Sequence, residues 1–166
     1  MADDPPAVGS WGGLTLRGII GVMGGLVLYL VVSEVLETAL VASTTDVRPT
    51  DLASYYAARN QGPILGAKLA YNSLTALWSG YMTARVAGER EMYYGSMVAF
   101  VQTAELAWRF LMDDNATFTP AWMRAFLVLS TGPVMLLGAA IRGRARVAQD
   151  ASVEPERESD VLNGRN

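Results

Sequence analysis

Residues Gly18 to Ser33 read GIIGVMGGLVLYLVVS, a run with no charged side chain and only Tyr29 and Ser33 carrying a hydroxyl. Extended to about Leu14 and Val41, it exceeds the roughly 20 helical residues needed to cross a bilayer's hydrocarbon core. A helix that is apolar almost all round belongs in lipid or in the middle of a large core. The acidic 13 residues before it lack the positive charge of a signal-peptide n-region, so it reads as a retained helix behind a flexible N-terminus.

Three further blocks repeat the pattern at about 64–86, 92–112 and 121–141. Their ends carry the breakers: Gly62-Pro63 and Gly88 flank the second block, and Asp113, Asp114 and Pro120 separate the third from the fourth. The chain is therefore expected to be an all-α integral membrane four-helix bundle over residues 14–141. Spans two and three are joined by only Ala87 to Glu91, a tight antiparallel hairpin. The longer link after span one holds Leu52, Tyr55, Tyr56 and Arg59 at helical spacing behind a Thr50 cap, which suits a short interfacial helix. From Arg142 onward a basic cluster and then a polar stretch without aromatic residues predict a disordered tail over 142–166.

Composition agrees with a membrane protein and removes several chemistries. The 166 residues are 51% hydrophobic and 17% charged, and the mean hydropathy is +0.22. With no Cys and no His, disulfides, thiolate sites and imidazole ligands or bases are absent. A net charge of −3 argues against nucleic acid as a partner. The positive-inside rule places both termini in the cytoplasm, beside Arg17, Arg85, Arg90, Arg142, Arg144 and Arg146.

The residues that a span normally excludes are the informative ones. Glu34 and Glu37 fall in span one, Lys68 and Asn72 in span two, Gln102, Glu105 and Arg109 in span three, and Arg124 in span four. With alternating helix directions, Glu34, Lys68, Glu105, Arg109 and Arg124 share the outer half of the membrane. Lys68, Asn72, Thr75 and Ser79 form one stripe at about 100° per residue, and Tyr94, Val98, Gln102, Glu105 and Arg109 share another. A polar interior follows, with Lys68 expected to pair with Glu34 or Glu105. Two readings of this cluster stay open: a structural network with Lys68, Arg109 and Arg124 snorkelling to headgroups, or a watery substrate site.

On span one, Gly18, Gly21 and Gly25 line one side, continued by Tyr29, and Glu34 and Glu37 lie roughly 150° away. Such small-residue faces let helices approach closely. If the glutamates face the bundle, the glycines are free to pack against another subunit; the alternative is that the glycines pack inside.

The stretch Gly80-Tyr-Met-Thr-Ala-Arg-Val-Ala-Gly88 resembles an element of small, uncharacterised bacterial multi-span proteins, in which a Gly-Tyr pair precedes Ala-Arg-Val-Ala at a helix end. The resemblance implies a multi-pass protein of the bacterial inner membrane and transfers no catalytic residue.

The leading functional expectation is a non-catalytic accessory or structural subunit, with the bilayer and a homo-oligomer or larger membrane complex as partners. The alternative is a small solute or proton carrier or channel built on the polar cluster. A membrane enzyme is third, because no Ser-His-Asp, metal-ligand or phosphate-loop pattern is present. No cofactor or metal is expected.

Overall fold

A computed structural model describes residues 14–45, 52–112 and 119–162. The expectations for the N-terminal 13 residues, for the Thr50 cap and for Asn115-Ala116-Thr117 lie outside the described residues. The described chain is all α, with five helices and no strand: α1 (Leu16–Thr44), α2 (Leu52–Ala58), α3 (Gly62–Ala87), α4 (Glu91–Met112) and α5 (Ala121–Leu162).

Local chemistry sets the ends. The Thr15 hydroxyl caps α1 by accepting from the Gly18 amide at 3.1 Å. Pro63 sits in the first turn of α3, where a missing N–H costs nothing, and Gly88 closes that helix in the left-handed region at φ 71°. Arg90, at φ 50°, completes the short turn into α4. The helical path of α5 does not stop at Ile141: it runs on through Arg142–Arg146 and Ala148 to Leu162. The stretch expected as a disordered tail is thus helical to that point, because Arg, Ala and Gln are good helix formers that charge alone does not unwind.

α3 and α4 form the centre, each packing against α1 on one side and α5 on the other. The glycine face of α1 is turned inward. A side chain at Gly18 would overlap the Tyr94 ring of α4, one at Gly25 would overlap Thr83 of α3, and one at Gly21 would stand 2.9 Å from the Thr83 carbonyl oxygen. The Ser79 hydroxyl uses this closeness to donate to the Gly25 carbonyl at 2.7 Å. Of the two readings open for these glycines, packing against another subunit or packing inside, the contacts fit the second: α3 and α4 occupy that face. α3 and α5 also approach closely, where Gly80 lies against the Met135 backbone and Gly138 against the Leu77 carbonyl.

Two helices, α1 and the first 29 residues of α5, are long and apolar enough to cross a membrane, with mean hydropathies of 2.2 and 1.7 over an 18-residue stretch of each. α3 and α4 fall short of that standard, although four spans are expected from the sequence. The reason is their inward stripe: Lys68, Asn72, Thr75, Ser79, Thr83 and Gln102 are all buried. The outer surface carries Ile20, Val31, Leu74, Phe100, Trp108 and Leu129. A set of polar residues is thus buried beside an apolar core, while many large apolar side chains are exposed on the outside.

Candidate functional site

One group of charged helix residues gathers at the end of the molecule that α2 closes. There Val41, Ala58 and Ile64 pack together, joining the end of α1 to α2 and the start of α3. Beneath this contact, a partly open cavity of about 210 Å³ lies among the helices. Its lining includes Ser33, Glu34 and Glu37 from α1, Arg59 after α2, Lys68 and Asn72 from α3, and Glu105 and Arg109 from α4. The three carboxylates and three cations in that lining cancel to zero formal charge.

Glu37 organises the floor. It is only 4% exposed, and its Oε1 accepts from the Arg59 Nε at 2.6 Å and from the Lys68 Nζ at 2.8 Å. Charges taken out of water need this pairing, because an isolated buried ion is several kcal/mol unfavourable. Lys68 is held from its own helix as well: its carbonyl accepts from Asn72 Nδ2 at 2.9 Å, and Asn72 Oδ1 accepts from the Tyr29 hydroxyl at 3.0 Å. Tyr29 and Asn72 thus fix the wall beside the ammonium. The Arg59 guanidinium lies 5.8 and 5.3 Å from the rings of Tyr55 and Tyr56, within cation–π range. Burial opposes the charge on Arg59, but the bonded Glu37 carboxylate outweighs it, and the pKa of Arg59 rises above its ordinary value.

The mouth is looser. Arg109 pairs with Glu105 one turn away at 2.7 Å, and the Glu105 carboxylate also accepts from Gln102 Nε2 at 2.9 Å. Glu34, half exposed, stands between the two sides. Its Oε1 is 3.9 Å from an Arg59 nitrogen and 4.0 Å from an Arg109 nitrogen, too far for a hydrogen bond to either.

The structure therefore brings Glu34, Lys68, Asn72, Glu105 and Arg109 to one cavity, with Gln102 behind them as the bonded neighbour of Glu105. Arg124 is not brought there. It lies along an apolar groove between α4 and α5, where it donates to the Phe110 carbonyl at 3.5 Å. The expected pairing of Lys68 with Glu34 or Glu105 is corrected to Glu37. Glu37 lies eight residues past Tyr29, about 80° around the helix, so it remains near the inward face even though it is far from the glycines. Packing of Val41 against α2 turns the same stretch of α1 inward.

Arg59 was missed because α2 reads as a surface segment, and only its position opposite two span-one glutamates hinted at a partner. Among the described residues, no group of three or more metal-ligating side chains converges. The arrangement offers paired charges and hydrogen-bonding groups at a partly open mouth, which suits reversible binding of a small polar group. No protein-family model matches this chain, and neither a curated protein nor a solved structure matches it.

Proposed function

We propose that this chain is an integral membrane protein in which α1, α3, α4 and α5 all cross the bilayer as a four-helix bundle, both termini lying in the cytoplasm. Its work is to bind a small polar solute or headgroup in the cavity at the outer, α2-closed end, as a carrier or a binding subunit. One observation carries this reading: Glu37, with Arg59 and Lys68 bonded to it, forms the floor of a partly open cavity inside an otherwise apolar exterior. Intramembrane ionisable groups are expensive and mark solute or ion sites more often than scaffolding. The inward glycine face favours this reading over the accessory-subunit one, since a partner's binding surface cannot be the face that α3 and α4 cover.

A separate observation supports a subunit role as the second reading. The outward apolar groove between α4 and α5 is lined by the small residues Ala107, Ala121 and Ala125, the kind of surface on which another membrane helix packs. Stoichiometric co-purification of a partner in mild detergent would favour it.

The absence of cysteine makes the main reading directly testable. Ser33→Cys is placed on the cavity wall and Arg144→Cys within α5, past the apolar stretch that ends at Ile141. In intact cells, an impermeant maleimide is expected to label Ser33→Cys, and to label Arg144→Cys only after permeabilisation. Failure of Ser33→Cys to react in any condition defeats the cavity, and labelling of Arg144→Cys in intact cells defeats the orientation.

A further inference from the structure

We infer that the cavity mouth recognises an oxyanion, a carboxylate or phosphate group, gripped between Arg59 and Arg109, and that Glu34 is a built-in competitor holding that position when the ligand is absent. The inference rests on the binding role proposed for the cavity and assigns its ligand class.

The geometry of Glu34 carries the argument. Arg59 and Arg109 come from separate elements, yet each turns a guanidinium nitrogen toward the same Glu34 oxygen, at 3.9 and 4.0 Å. Charge-assisted hydrogen bonds of this type close to about 2.7–2.9 Å when the acceptor fits. Glu34 therefore neutralises both cations without filling either donor. Its attachment to α1 sets its reach, while its side chain stays half exposed at the mouth. The two nitrogens lie at most about 8 Å apart, being within 3.9 and 4.0 Å of one oxygen. A separation within that bound is short enough for one carboxylate or phosphate to reach both with hydrogen bonds of about 2.8 Å.

The other carboxylates do not compete in this way. Glu37 is consumed by Arg59 Nε and Lys68, and Glu105 by Arg109 and Gln102. These close pairs hold the two guanidinium groups in place and leave their remaining N–H groups for a ligand. Ser33, one residue before Glu34, adds a hydroxyl on the same lining that has no hydrogen-bond partner. The source of the oxyanion is either a water-soluble solute or a lipid headgroup, since the mouth opens at an end of the helices.

The test uses full-length protein in phosphatidylcholine nanodiscs, with Glu34→Gln and Arg109→Gln beside the unmodified chain. Both residues are about half exposed, so neither substitution threatens folding. Inorganic phosphate is titrated against chloride at matched ionic strength, with thermal stabilisation as the readout. In a second arm the discs contain phosphatidylglycerol, and retained lipid is counted by native mass spectrometry.

Saturable stabilisation by phosphate, tightened about tenfold in Glu34→Gln and lost in Arg109→Gln, supports the inference with a soluble ligand. The same ordering for phosphatidylglycerol retention alone supports it with a lipid. Binding of either probe that is indifferent to Glu34→Gln or survives Arg109→Gln overturns the competitor role. No response to either probe, with Ser33→Cys still labelled, overturns the oxyanion assignment and leaves the cavity standing. Loss of that labelling as well removes the binding reading beneath it.

Discussion

At the level of single residues, one oxygen of Glu37 anchors two cations, so the three members of the floor are not equivalent. Removing Lys68 leaves Glu37 still bonded to Arg59; removing the Glu37 charge leaves two buried cations facing each other. Glu37→Gln is therefore expected to destabilise the protein by about 3–5 kcal/mol, the range for breaking a buried pair. Lys68→Met is expected to cost about 1–3 kcal/mol, the scale of one lost charge-assisted bond. Thermal denaturation in a fixed detergent checks the order, and equal losses would show that the pairs act independently. The composition of the cluster was legible in the sequence because charges are so rare in these blocks. The partner of Lys68 was not, because an angle measured from the glycines ignores how Val41 and Ala58 turn the end of α1 inward.

At the level of elements, the contacts turn on which glycines have a backbone against them. A side chain at Gly80 would run into Met135 of α5, whereas Gly24 has open space around its α-carbon. Gly80→Ala is expected to destabilise by about 1–3 kcal/mol through overpacking. Gly24→Ala is expected to stabilise by up to about 1 kcal/mol through helix propensity alone. Detergent melts of the two variants check the opposite signs; a harmless Gly80→Ala would mean that α3 and α5 do not meet as described. The GxxxG spacing of Gly21 and Gly25 drew attention to α1, and a side chain at either would meet Thr83 of α3. Gly80 and Gly138 carried no comparable signal, since neither has a second glycine four residues away and only the crossing of α3 with α5 brings them into opposition. Helix positions were readable from the breakers at Gly62-Pro63, Gly88 and Pro120. The extension of α5 was not, because a polar composition says little about whether a helix continues once it has a folded turn to propagate from.

For the whole molecule, the decisive question is what surrounds α4. Phe100 is 75% exposed on it, while Gln102, two residues on, is 1% exposed. A water-soluble protein arranged this way would be turned inside out, since the hydrophobic effect favours the opposite distribution. In lipid the same arrangement is expected, and it explains why α3 and α4 are too polar on average to register as spans. The α3 stripe bonds mainly to α1, through Glu37, Tyr29 and the Gly25 carbonyl, and in the proposed bundle only the apolar faces would meet the bilayer. Phe100→Arg separates the two environments. If α4 crosses the membrane, the substitution places a charge against hydrocarbon at a cost of about 2.5–3.5 kcal/mol, and the carbonate-resistant membrane fraction is expected to fall. Were α4 bathed in water, the same arginine would remove an exposed aromatic ring and improve solubility without loss of fold. A parallel Glu89→Arg in the short turn between α3 and α4 adds charge outside hydrocarbon and is expected to leave the membrane fraction unchanged. Only a drop confined to Phe100→Arg is consistent with a lipid-facing α4, and with it the count of four crossing helices.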